Sequence, residues 1–313
     1  MLASFLTATQ VVVPMALLML LGAGLRKAGL TDRSTMRSVD KLLFRFFMPV
    51  LLFKNIYETD LTRSFTSKEA LFVVAALLAV FPVALLVPRK LVKDHNQAAS
   101  IGQAMLRTNY ILFGIAVAES LFGEGNAGPV ALLGTVIIPM TNALGVIVLE
   151  LNRSGWANPW KLLLSILKNP MVLSTLAAML MLALPVRIPD LLWGVVKDVA
   201  GVTTTMSFLS LGVSLDLGEA RANQGPLILG VTLRMVLMPL VFLPLSVAFG
   251  FRGQTLCALM VLFAGPTAVA SYPMAVAMGA DGPLAGQLVC ATTVLSVFTM
   301  FCYTFVFRGL GLL

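Results

Sequence analysis

Residues 262–279 read LFAGPTAVASYPMAVAMG. The run is apolar enough to lie in hydrocarbon, yet Pro266 and Pro273 each remove a helix hydrogen bond and press a ring against the preceding turn. With Gly265 beside Pro266, the stretch predicts a broken helix inside a membrane. Unwound backbone is tolerated at that depth only where it is buried in protein or lines a cavity. The ends of such half-helices bind ions or anions. A simple proline kink is the plainer alternative. Gly265, Pro266, Thr267 and Pro273 are the first candidates for a ligand site.

Working outward, the rest of the 313-residue chain supports the membrane setting. Hydrophobic residues make up 58% and charged residues 12%, against about 25% charged in a soluble domain, and mean hydropathy is +0.94. A span takes roughly 20 mostly apolar residues. Ten candidate stretches follow one another at 5–25, 40–57, 69–88, 99–122, 129–149, 170–187, 197–217, 226–249, 254–279 and 284–307. The loops after odd-numbered spans hold eleven Lys and Arg, from Arg26 to Arg221, and the opposite side holds six. Positive loops stay inside, so both termini are expected outside the cell membrane. No Lys or Arg precedes Arg26, which fits a retained first span and not a cleaved leader.

The net charge of +8 lies at the ends of apolar runs, where lipid headgroups act on it; it forms no nucleic-acid footprint. Cys257, Cys290 and Cys302 fall inside apolar runs without metal-ligand spacing, so neither metal nor cofactor is expected.

Five spans per half require an inverted duplication, a recurrent transporter architecture. GluThrAspLeu at 58–61 and SerLeuAspLeu at 214–217 end the second and seventh spans, and the fourth and ninth superpose with Ala116 against Pro273. The charged connection at about 150–169 is the natural boundary, giving repeats at 1–150 and 151–313. The fold expected is therefore all-α and integral to the membrane, with ten helices in two inverted five-helix repeats.

Polar residues inside spans are the remaining candidates. Arg107, Asn109 and Gly114 lie in the fourth span. A buried arginine costs roughly 2.5–3.5 kcal/mol on insertion scales. Arg107 therefore either meets an anionic ligand or snorkels to the headgroups, and Arg234 in the eighth span is expected to snorkel. Pro139 and Asn142 mark a polar point in the fifth. Thr203, Ser207, Ser210 and Ser214 form one helical face, better suited to helix packing than to substrate contact. Glu119 and Asp216 are the carboxylates placed to couple a proton. With one His and no nucleophile, phosphate-loop or zinc-protease motif, catalysis is not expected. Transport is the leading reading, and a non-transporting receptor or scaffold is the competing class.

Several motifs in order resemble the auxin efflux carrier family, which includes bacterial malate and malonate carriers. They are GAGLRKAG at 22–29, FMPVLLF at 47–53, RTNY at 107–110, LKNP at 167–170, LPVRIP at 184–189 and LGVSLDL at 211–217. The resemblance implies a fold like the bile-acid sodium symporters, with spans 1, 2, 6 and 7 as scaffold. Spans 3–5 and 8–10 would form a mobile transport domain in which the broken helices 4 and 9 cross. It implies a small organic anion as substrate, with larger aromatic carboxylates as the alternative. Coupling would be to a proton or to sodium, and a homodimer would form through the scaffold spans. Ala116 stands where the family carries a crossover proline, so the fourth helix would be broken less sharply, or by Gly114 alone.

Overall fold

The computed structural model describes residues 2–58, 68–154, 159–184, 187–215, 218 and 223–313. Among the described residues the chain is helical throughout, with no strand. Helix α1 (Leu2–Lys27) is followed by α2 (Arg33–Leu42), which runs through a π-helical turn at Leu43–Phe47 into α3 (Met48–Tyr57). Then come α4 (Lys68–Leu91), α5 (His95–Leu106), α6 (Tyr110–Phe122) and α7 (Gly128–Ser154). The later helices are α8 (Pro159–Leu167), α9 (Pro170–Ala183) and α10 (Asp190–Ser214). Helix α11 (Gln224–Thr232) passes through a second π turn, Leu233–Leu237, into α12 (Met238–Ala248). Helices α13 (Gly253–Ala264), α14 (Ser271–Met278) and α15 (Gly282–Gly309) complete the chain.

Side-chain caps set several starts. Asp32 caps α2, its carboxylate accepting from the Thr35 N–H at 2.7 Å and the Ser34 hydroxyl at 2.9 Å. These bonds, Thr35 first, hold its pKa below the usual carboxylate value. Asp94, Asn169 and Asp281 cap α5, α9 and α15 in the same way. Both π turns lie just before a Met-Pro pair, Met48-Pro49 and Met238-Pro239. A proline ring clashes with the carbonyl four residues back, and one widened turn relieves that clash.

Lys68–Leu91, Gly128–Asn152, Gln224–Ala248 and Gly282–Gly309 are each long and apolar enough to cross a membrane alone, by length and composition. Tyr110–Phe122, Pro170–Ala183 and Gly253–Ala264 are shorter apolar helices. Large apolar side chains such as Leu71, Leu191 and Phe298 face outward, as a lipid-facing surface allows.

Helix α1 packs along α10, and α3 packs on α9 and α10. The α1–α10 approach is backbone-close. A Cβ at Gly22 would strike the Leu209 carbonyl, and one at Gly212 the Met19 carbonyl. Small residues permit this closeness in membranes, where packing replaces the hydrophobic drive. Helices α4, α5 and α7 pack together, as do α12 with α13 and α14 with α15, while α6 lies against α7 and α13.

Candidate functional site

Two helices stop in mid-course and meet. Helix α5 ends at Leu106 and α6 begins at Tyr110; α13 ends at Ala264 and α14 begins at Ser271. Gly265 is extended, as a residue before proline prefers. Thr108 and Thr267 pair as an isolated antiparallel bridge. Around it Asn109 N donates to Pro266 O at 2.9 Å, and Ala268 N donates to Arg107 O at 3.1 Å. The threonine hydroxyls reach across as well: Thr108 Oγ1 to Leu262 O at 2.9 Å, Thr267 Oγ1 to Ala104 O at 3.3 Å. The backbone groups freed by each break are satisfied by the other, which is what makes both breaks tolerable away from water.

The first break differs from the sequence expectation. Gly114 does not interrupt the chain; it lies within α6, in contact with Val130 and Val261. The interruption is at Arg107–Asn109, which contains neither glycine nor proline. Pro273 is likewise no break. It sits in the first turn of α14, where a missing N–H costs nothing.

On one side of the seam lies a cavity of about 280 Å³. The seam contributes Arg107, Thr108, Asn109, Ala268 and Ala270, and α6 adds Tyr110, Ile111 and Leu112. Facing them are Met48, Leu52 and Asn55 of α3, Met171 of α9 and Thr204 of α10, with Thr141 and Asn142 from α7. Arg107 is 5% exposed. Its Nη2 donates to Asn142 Oδ1 at 2.7 Å and its Nη1 to Ala270 O at 3.3 Å. Asn142 is itself fixed by donating to Ile138 O at 2.8 Å. Asn109 is the N-cap residue of α6, makes no side-chain cap bond, and reaches only Met15 Sδ at 3.9 Å. The first-turn N–H groups of α6 have no intrahelical acceptor.

On the other side Arg234, carried by the second π turn, is 1% exposed. It does not snorkel to headgroups. It donates to Met105 O at 3.0 Å, to Leu262 O at 2.9 Å, to Gly265 O at 2.9 and 3.2 Å, and to the Thr108 hydroxyl. One side chain thus caps the C-terminal ends of α5 and α13 together. The sequence signal was a lone arginine in a span, which cannot reveal that its acceptors come from two other helices.

Of the remaining candidates, Gly265, Pro266 and Thr267 form the seam behind the cavity wall, and Thr267 N also donates to Thr292 Oγ1 at 3.1 Å. Pro139 lies inside α7, one residue beyond cavity-lining Ile138. Glu119 is near the far end of α6, with Oε1 accepting from Gly125 N at 3.3 Å, away from the cavity. Asp216 lies outside the described residues.

A carboxylate not singled out from sequence is Asp40, fully buried on α2. Its Oδ1 accepts from the Ser210 hydroxyl of α10 at 2.6 Å, and among the described residues its Oδ2 makes no hydrogen bond. The Tyr272 hydroxyl faces it from α14 without closing an ordinary hydrogen bond. Beside this cluster is a cavity of about 100 Å³ lined by Arg33, Arg37, Ser214, Tyr272 and Gln287 among others. Ser210 thus bonds across the α2–α10 interface.

Residues 7–304 match the family described as membrane transport protein. The chain belongs to this family, that of the auxin efflux carriers. A protein of Methanothermobacter thermautotrophicus, described as an uncharacterized transporter, is 21% identical over 308 residues, covering 95% of this chain and 97% of that one. Both similarities point to membrane transport and away from catalysis. Two of the family-like motifs fall at the places just described. Arg107–Tyr110 holds the first break, and the motif beginning at Leu211 follows directly on Ser210, the partner of Asp40.

Proposed function

We propose that the chain is a secondary active carrier of small organic anions, mono- or dicarboxylates, working by elevator-like alternating access. Two inverted five-helix repeats, 1–150 and 151–313, would supply a scaffold of α1–α3 and α8–α10 and a moving body of α4–α7 and α11–α15. The α1–α10 and α3–α9 packing and the α4–α5–α7 packing support that division, although α1 also packs across it on α6 and α15; the reciprocal bonds about Thr108 and Thr267 support a local two-fold. A homodimer through the scaffold belongs to the same reading.

The observation that carries the substrate class is Arg107 on the cavity wall, with neutral partners only, beside the Asn109 amide and the open N–H groups of α6. A guanidinium, a helix N-terminus and a free amide together favour a carboxylate. At about 280 Å³ the cavity is just below the roughly 300–1,000 Å³ of drug-sized pockets, which favours a small acid. A second depression of about 460 Å³ shares Asn55, Ile111 and Ile138 with it and carries the Lys54–Glu58 pair, joined at 2.6 Å. With positive loops inside, that route leads outward. Apolar walls from Met48, Leu52 and Met171 support the alternative of larger aromatic carboxylates. Proton coupling through Glu119 or Asp216 remains part of the reading, and Asp40 is a better-buried candidate for the same task.

The test is counterflow of radiolabelled malonate, succinate and indole-3-acetate in proteoliposomes. Saturable counterflow of the small acids is expected. Asn109→Ala removes a donor to a charged group, worth about 1.5–3 kcal/mol, so affinity should fall roughly 10- to 150-fold with expression unchanged. Counterflow of indole-3-acetate alone selects the alternative. Folded protein that exchanges no acid points to a receptor or scaffold.

A further inference from the structure

Each half-helix that ends inside a membrane leaves carbonyls pointing onward and a partial negative charge at its C-terminus, roughly half an elementary charge for a full dipole. Helices α5 and α13 end this way against each other. Two such ends sum to about one negative charge, which is the setting in which transporters with discontinuous helices coordinate a cation. Here the setting is already occupied by part of the chain. Arg234 donates to Met105 O on one end and to Leu262 O and Gly265 O on the other, with Thr108 between them. It is 1% exposed, and among the described residues no carboxylate lies within ion-pair distance of it. Its charge is balanced by carbonyl dipoles, as a bound metal ion's would be.

We propose that Arg234 is a tethered cation standing in the place of an exchangeable one. The crossing is then charge-neutral on its C-terminal side in every turnover, and its N-terminal side binds the anion without help from sodium. The anion and the turnover rest on the carrier reading; the occupied cation site is a property of the fold.

The test needs no substrate. Thermal unfolding of purified protein is followed in choline chloride and, at equal ionic strength, in sodium, potassium or guanidinium chloride at low millimolar added cation. The unmodified chain is expected to melt at the same temperature in sodium as in choline. Arg234→Ala is expected to melt several degrees lower in choline and to recover in sodium or guanidinium, because the vacated carbonyl cage accepts a free cation. Arg234→Lys, which keeps the charge, should stay insensitive to sodium. Stabilisation of the unmodified chain by sodium over choline overturns the proposal, as does a folded Arg234→Ala that answers to no small cation. If Arg234→Ala does not fold in any salt, Arg234→Lys decides. A folded, sodium-insensitive lysine variant supports the tethered charge, and loss of folding there too means that the guanidinium's hydrogen-bond fork is required and the charge is not. A cation response together with absent counterflow would leave this inference standing and remove the carrier reading alone.

Discussion

Arg107 and Arg234 sit on opposite sides of one seam, both buried, both without a carboxylate partner among the described residues, and they do different work. Arg234 faces the C-terminal ends of two helices, and its donors are taken by fixed backbone carbonyls. Arg107 faces the N-terminal ends, where carbonyls are scarce, and holds an asparagine amide and one weak carbonyl bond while lining a cavity. Helix polarity explains the contrast. A cation at C-termini is stabilised by what is already there; a cation at N-termini adds to a positive field and is complete only with an anion. Burial alone does not tell the two arginines apart, but the direction of the nearby helices does.

The largest effect expected from this comparison is at Arg234. Arg234→Met keeps much of the volume and removes every donor, leaving the Met105 and Gly265 carbonyls without their partner and Leu262 O with the Thr108 hydroxyl alone. Each buried group left so costs about 1–3 kcal/mol. The melting temperature in detergent should fall by on the order of 10 °C, with reduced expression. A fall no greater than that of Arg107→Gln would erase the distinction.

Arg107→Gln comes next and should touch binding before stability. The amide can still meet Asn142, so folding is kept, while the charge offered to a carboxylate is lost. Substrate affinity should drop roughly 10-fold or more, measured by counterflow or by ligand-induced thermal shift. Unchanged affinity would mean that Arg107 serves the seam in the way Arg234 does.

Part of this was legible in the sequence. Gly265-Pro266 announces the second break because the signal is local: proline removes the N–H and forces its predecessor out of the helical region. Apolar length likewise marks the helices, since hydrocarbon thickness leaves little choice. The place of the first break was not legible. Arg107-Thr108-Asn109 has no breaker, and its interruption is made by acceptors on the other segment, Pro266 O and Leu262 O, more than 150 residues away. Arg234 and Asp40 escaped for the same reason. A lone charge in an apolar run states a need for partners and says nothing of where they are.

The α2–α10 interface gives a third buried charge to set against the two arginines. Asp40 has one oxygen on Ser210 and the other unmatched, with Tyr272 of α14 across from it and Arg33 and Arg37 lining the adjoining cavity. It lies where α2 and α10 meet the segment after the second break, a surface that an elevator motion would shear. Asp40→Asn imitates the protonated carboxyl permanently. Uptake driven by an acid-outside pH gradient should fall several-fold, while counterflow, which needs no net proton movement, stays near normal. Equal loss of both would make Asp40 a structural residue of the helix interface.

Glu119 provides the smallest expected effect and the control for Asp40. Both are carboxylates on helices, but their surroundings are opposite. Asp40 is sealed with half its hydrogen-bonding capacity unused, so its protonation state changes the interactions of everything around it. Glu119 is only partly buried, and its one described hydrogen bond is a 3.3 Å contact from the Gly125 N–H in the loop after α6. Glu119→Gln keeps an oxygen able to accept from that N–H, and what it removes is a charge that water already screens. Exposed charges of this kind contribute about 0–1 kcal/mol, so counterflow and gradient-driven uptake should both stay within about 5-fold of the unmodified chain. A selective loss of gradient-driven uptake in Glu119→Gln, with Asp40→Asn unaffected, would reverse the assignment. Proton coupling would then belong to the loop end of α6, and Asp40 would join Arg234 among the charges that the fold keeps for itself.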